Sequence, residues 1–170
     1  MILLVDGATH TGKTNFAQYM LERYRFPYLC LDHIKMGLIR AKKVDFTPED
    51  DEKIQEYLWP IVVGIIQTAI ENNQNLLVEG CYIPEDWREE FEAEYLKEIR
   101  YVCLVMSEEY IRKHYDEIKE YANVIEKRKK EDVPPMEELI RENQAYFQRC
   151  ITHDYECCLI EDEYHIDFEL

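Results

Sequence analysis

Eight consecutive residues, Gly7-Ala8-Thr9-His10-Thr11-Gly12-Lys13-Thr14, constrain this chain more than any other feature. They match the pattern G-x-x-x-x-G-K-[ST] at every fixed position. The two glycines permit a tight turn in which successive backbone N–H groups point inward and form an anion-binding concavity. A helix opening directly after the loop adds unpaired N-terminal donors and partial positive charge. Lys13 is then placed to reach the outer phosphates of a triphosphate, and the Thr14 hydroxyl to take one position on Mg²⁺. The flanks agree. Met1-Ile2-Leu3-Leu4-Val5 is the short apolar run expected of a buried parallel strand. Phe16, Met20 and Tyr24 follow at i, i+4 and i+8 and give one apolar helical face.

The alternation of strand and helix continues. Tyr28-Leu29-Cys30-Leu31 predicts a second strand ending at Asp32, followed by a short helix over about 34–41. Thr47-Pro48-Glu49-Asp50 reads as a helix start with Thr47 as N-cap. Ile54, Leu58, Ile61, Ile65 and Ala69 form its expected apolar stripe, and Pro60 is expected to kink or divide it. Asn72 and Asn73 stop that helix before a third strand, Leu76-Leu77-Val78, which ends in Glu79-Gly80. An acidic helix over about 85–95 and a fourth strand over 101–105 come next. Ser107 then caps a long helix whose apolar face is Ile111, Tyr115, Ile118, Ala122 and Ile125. Charge gathers in Lys127-Arg128-Lys129-Lys130, and Pro134-Pro135 breaks the chain. A last helix is expected to turn Met136, Ile140, Phe147 and Ile151 inward before a fifth strand, Cys157-Cys158-Leu159-Ile160. Five short apolar strands separated by helices predict an α/β fold with a parallel sheet covered on both faces.

No glycine- or serine-rich linker or repeat divides the 170 residues, so one domain over 1–170 is expected. A formal net charge of −16 argues against nucleic acid as a partner, since most of the surface would repel a phosphate backbone. It leaves room for ATP, which needs only a local positive pocket. No apolar run reaches the roughly 18 residues of a membrane span, and Met1 leads straight into a strand; the expectation is a cytoplasmic protein without a membrane partner. Among the six cysteines, Cys30, Cys81 and Cys103 lie in or beside strand-like runs as small buried thiols. Adjacent Cys157 and Cys158 should face opposite sides of a strand, and no zinc-ligand spacing occurs.

Motif and strand order together resemble the small P-loop kinases, a group that includes adenylate, shikimate and gluconate kinases, chloramphenicol phosphotransferase and the zeta-toxin-like kinases. The resemblance covers most of the chain in outline, and the phosphate loop carries its specificity. It implies a three-layer P-loop fold with sheet order 2-3-1-4-5, an acceptor-binding region over about 33–72 and a helical lid over about 108–135. It also implies that Gly7 to Thr14 hold ATP and that Mg²⁺ lies at Thr14. Asp32, at the end of the second strand, matches the carboxylate that the hydroxyl-phosphorylating members keep beside the acceptor; its alternative role is to cap the helix from His33. Glu79 resembles the acidic position that holds Mg²⁺ through water, the alternative being a turn residue facing solvent. Arg112 and Arg128 are the preferred lid arginines, because a guanidinium grips phosphate bidentately. Arg40 and Arg88 follow two strand ends and are candidates to clamp an anionic acceptor. His10 and His33 border the site as loop residues.

The reading that follows is a Mg²⁺-dependent kinase passing the γ-phosphoryl group of ATP to a small-molecule hydroxyl, with Lys13, Asp32, Arg112 and Arg128 catalytic. A nucleoside monophosphate kinase is the runner-up, and a nucleotide-binding module without transfer activity is the competing class. The adenylate-kinase run Asp-Gly-Phe-Pro-Arg is replaced here by Glu79-Gly80-Cys81-Tyr82-Ile83-Pro84, so the sequence leaves the acceptor open. Only ten residues follow the fifth strand, little room for the terminal helix many members have, which leaves the adenine contacts open; the oligomeric state is open as well.

Overall fold

A computed structural model describes residues 1–121, 133–166 and 168. Five strands, β1 (Ile2–Gly7), β2 (Tyr28–Cys30), β3 (Leu76–Glu79), β4 (Ile99–Met106) and β5 (Cys157–Ile160), form one sheet in the order β2-β3-β1-β4-β5. Every pairing is parallel. Parallel strands need crossovers, which here contain α1 (Lys13–Tyr24), α2 (Leu31–Arg40), α3 (Asp51–Glu71), α4 (Ala93–Leu96), α5 (Glu108–Tyr121) and α6 (Met136–His153). The strands are buried on both faces, so their side chains divide by alternation. Leu3, Val5, Val102 and Leu104 meet Phe16, Ala17 and Met20 of α1 on one face. Ile2, Leu4, Val78, Tyr101 and Cys103 meet Ile54, Leu58, Val62 and Ile66 of α3 and Cys150 of α6 on the other. Cys157 packs on the second group and Cys158 on the first, so the adjacent cysteines do face opposite ways.

Several local expectations need correction. β2 stops at Cys30, and α2 begins at Leu31, so Asp32 lies in the first helical turn rather than at a strand end. α3 starts at Asp51 with Asp50 at the cap position; Thr47 instead donates its N–H and hydroxyl to Asp50 Oδ2, at 2.7 and 3.0 Å. Pro60 does not divide α3. It and Glu56 both lie on the solvent side, where the carbonyl that loses its helical donor is open to water. The buried stripe of α3 is Ile54, Leu58, Val62, Ile66 and Ala69, whereas Ile61 and Ile65 are 42% and 36% exposed. The acidic segment forms a 3₁₀ turn at Trp87–Glu90 and the single turn of α4, not one helix. α6 buries Leu139, Ile140, Asn143 and Cys150, and leaves Phe147 and Ile151 at 38% and 60% exposure. The inward Asn143 explains the misreading: its side chain accepts the Met106 N–H and donates to the Leu139 carbonyl, both at 2.8 Å, a polar residue doing an interior task.

Ser107 caps α5 as expected, its hydroxyl accepting the Tyr110 N–H at 3.0 Å. Ala122 and Ile125 lie outside the described residues. No helix among the described residues is long and apolar enough to cross a membrane.

Candidate functional site

The phosphate loop runs from the end of β1 to the start of α1, in the centre of the sheet. Gly7 has φ 141°, and a Cβ there would stand 2.2 Å from the Leu104 carbonyl oxygen of β4, so only glycine fits. Gly12, at φ 84°, turns the chain into α1. Between them His10 is left-handed at φ 60°, and the buried Thr11 hydroxyl donates to the Ala8 carbonyl at 2.9 Å. Lys13 folds back over the loop, its Nζ donating to the carbonyls of Gly7 and Ala8 at 2.9 and 2.7 Å. From the segment after β5, the Tyr164 hydroxyl donates to the Thr11 carbonyl at 3.2 Å.

Sheet order brings two further strand ends beside this loop. Val5 pairs with Glu79, and Glu79 with Cys30, so the residues leaving β1, β3 and β2 stand side by side. Thr14 Oγ1 donates to Glu79 Oε1 at 3.1 Å. Glu79 is almost fully buried, and burial raises its carboxyl above the ordinary range, opposed by the Cys30 thiol, Lys13 and Thr14. Burial and this carboxylate together push the Cys30 thiol up. Hydroxyl and carboxylate are hard oxygen donors held at one point beside the loop, a set suited to Mg²⁺ shared with phosphates. Among the described residues no three His, Cys, Asp or Glu side chains are grouped to hold a metal by themselves.

Asp32 is held by a residue the sequence reading passed over. Lys35, one turn along α2 and buried, sets its Nζ 2.6 Å from Asp32 Oδ1 and donates to the Tyr82 hydroxyl at 2.8 Å. Tyr82 in turn donates to Asp51 Oδ1 at 3.0 Å, tying α2, α3 and the segment after β3 together. A lysine three residues after an aspartate on a helix is a signal available from sequence.

Two more residues, both on α6, were missed. Glu142 Oε1 accepts the Thr9 N–H at 2.9 Å. Arg149 lies 3.2 Å from Asp6 Oδ2. Asp6, fully buried, accepts the Gly7 N–H on Oδ1 and the Tyr101 hydroxyl on Oδ2, both at 2.8 Å. Burial pushes its carboxyl up to about 6 against the opposing pull of Arg149. Nothing in a one-dimensional pattern announces these partners, because they join positions more than 130 residues apart.

The expected arginines are placed elsewhere. Arg88 stacks over Trp87 and Tyr155 and donates to the His153 carbonyl at 3.1 Å. His153 lies eleven residues beyond Glu142 on α6, about 16 Å along the helix from the residue that touches the loop. Arg40 is exposed at the far end of α2 from Asp32. Arg112 is exposed and ion-paired with Glu108 at 2.9 Å and Glu137 at 2.8 Å, joining α5 to α6. Arg128 lies outside the described residues. Lys13, Thr14, Glu79 and Asp32 are thus brought together, and the three described arginines are not brought to them.

No family profile matches the sequence, and no curated protein matches it significantly. Solved structures do. Shikimate kinase from Bacteroides thetaiotaomicron superimposes with a TM-score of 0.57 at 11% identity, over 98% of this chain and 89% of that one. The PezAT chromosomal toxin–antitoxin system of Streptococcus pneumoniae gives 0.56 at 12% identity, over 99% and 69%. A sugar kinase from Janibacter sp. gives 0.50 at 14% identity, over 94% and 84%. With the sheet order and the loop, these likenesses establish that the chain has the fold of the small P-loop kinases.

Proposed function

We propose that this chain is an ATP- and Mg²⁺-dependent phosphotransferase whose acceptor is the hydroxyl of a small molecule. The observation that carries the reading is the meeting of the loop after β1 with the end of β3 and the first turn of the helix that follows β2. The loop with Lys13, the Thr14–Glu79 pair and the Asp32 carboxylate converge where ligands enter an open α/β sheet. The inward amides of the loop and the Lys13 ammonium bind the β- and γ-phosphates and stabilise charge on the transferring group. Thr14 and, through water, Glu79 would hold Mg²⁺, which neutralises phosphate charge when bound. Asp32 orients the acceptor hydroxyl and takes its proton as the acceptor oxygen bonds to the γ-phosphorus and the bond to ADP breaks. Lys35 keeps Asp32 in place. Arg112 and Arg128 belong to the proposed lid over 108–135, within a single domain and a cytoplasmic setting.

The test is ADP release from ATP and Mg²⁺ against a panel of sugars, hydroxy acids, antibiotics and nucleoside monophosphates. With the responding acceptor, Asp32→Asn should lower kcat by about 10²–10⁴-fold while the protein stays folded and ATP affinity is retained. A nucleotide kinase, whose acceptor is already ionised, would lose far less. Tight ATP binding with no acceptor accelerating turnover would instead favour the binding module.

A further inference from the structure

Arg149 stands where the two halves of the site meet. Its Nη2 lies 3.2 Å from Asp6 Oδ2 and donates to the Ile83 carbonyl at 3.0 Å, so a single nitrogen links both. Asp6 is the residue immediately before the phosphate loop, and its other oxygen accepts the Gly7 N–H. Ile83 lies in the segment after Glu79, next to Tyr82, which bonds Lys35 and through it bears on Asp32. Such an ion pair is a poor device for stability alone. Desolvating both charges costs about as much as their attraction returns, and an apolar pair of similar volume commonly does as well or better. The interior here is otherwise apolar and aromatic, with Trp87, Tyr101 and Tyr155 packed around it. The pair makes sense for what it orients: Asp6 Oδ1 accepts the Gly7 N–H at 2.8 Å, at a residue paired with Leu104 of β4 where no side chain fits.

We propose that Arg149 is a positioning residue for the transfer reaction, fixing the Gly7 peptide at the mouth of the phosphate loop through Asp6 and the segment following Glu79 through the Ile83 carbonyl. The proposal rests on the kinase reading above. It adds to it that donor and acceptor sides are held at one spacing from α6.

Asp6 faces Arg149 and Tyr146 from α6, Tyr101 and Cys103 from β4, Lys13 from α1, Cys81 from the segment after β3, and Tyr155 before β5. Burial pushes the Asp6 carboxyl up to about 6, and it also pushes Cys81, Tyr101, Tyr146 and Tyr155 above their ordinary values; a hydrogen bond with Cys150, then burial, raises Cys103. Removing the guanidinium takes away the largest influence opposing burial, so the Asp6 carboxyl should rise further and lose its charge at neutral pH.

The experiment measures the Kd of ATP·Mg²⁺ by calorimetry from pH 6 to 8, with circular dichroism to verify folding. It compares wild type, Arg149→Met, Arg149→Lys and the double variant Asp6→Asn/Arg149→Met. Arg149→Met should bind at least about tenfold more weakly at pH 7, as losses of residues orienting a site commonly do. Its affinity should vary with pH more steeply than that of wild type, and the double variant should lose that extra dependence. Should Arg149→Met fail to fold, Arg149→Lys, which keeps the charge but not the fork, should show a smaller loss in the same direction. A residue that only holds the core would lower Tm and leave the Kd of the folded protein unchanged. Folded variants binding within twofold of wild type across the pH range would therefore overturn the proposal. Wild type that itself takes up no ATP·Mg²⁺ would overturn the kinase reading instead.

Discussion

Glu142 places an acidic oxygen on the Thr9 N–H, one donor of a loop built for anions. Burial raises its carboxyl above the ordinary range, Lys13 opposes that rise, and Glu138 and Asp51 add to it. A triphosphate bound in the loop as proposed would meet this charge at close quarters. Glu142→Gln keeps a carbonyl for the Thr9 N–H and removes the repulsion, so ATP·Mg²⁺ should bind roughly three- to tenfold more tightly at pH 7 by calorimetry. The sign with pH follows from the raised value: the carboxyl takes up its proton at a higher pH than an ordinary glutamate. The advantage of the glutamine variant should therefore shrink as pH falls toward 5. Equal or weaker binding by the variant at pH 7 would show that the carboxylate does not oppose phosphate. The fixed loop positions and the carboxylates at Asp32 and Glu79 were legible in sequence because each follows a short apolar run. Glu142, Asp6 and Arg149 were not, since they act through partners distant in the chain; Lys35 was passed over although its spacing from Asp32 offered a signal.

At the scale of elements, α3 shows how far periodicity reaches. Its second half, Ile61 to Ile70, is apolar nearly all round, so stripes through Ile61 and Ile65 or through Val62 and Ile66 fit a helix equally well. Packing against Ile2, Leu4 and Val78 of the sheet selects the second. The choice can be measured. Ile66→Ala should cost about 2–5 kcal/mol in chemical denaturation, as buried Ile truncations do, whereas Ile65→Ala should cost under about 1 kcal/mol. A reversed order would mean that α3 is rotated about its axis. α6 was misread for a different reason, since two polar residues, Asn143 and Arg149, turn inward on it to bond backbone and Asp6. Arg112 pairs with Glu108 within α5 and clips that helix to the first turn of α6 through Glu137, at the surface, where such pairs contribute little.

For the whole molecule, the α/β class and the parallel sheet were legible from alternation alone, and the order β2-β3-β1-β4-β5 from the resemblance. The order matters because it sets β3 between β1 and β2, so that Glu79 and the residues following β2 stand beside the phosphate loop. Ligand binding at such a junction stabilises the native state by mass action. At a hundredfold excess of ATP·Mg²⁺ over its Kd the gain is about 2.7 kcal/mol. For a chain of this size that corresponds to a rise in Tm of about 5–10 °C, read by differential scanning fluorimetry. Magnesium alone should give no such rise, and an equal rise with magnesium alone would point away from the nucleotide.

The contacts from α6 to Asp6 and Thr9 also carry a consequence for biosynthesis. A nascent polypeptide that has left the ribosome only as far as β4 already contains every residue of the phosphate loop, yet lacks the helix that anchors its mouth. The mouth of the loop can therefore take its described form only late, once α6 has emerged and docked against Asp6 and Thr9.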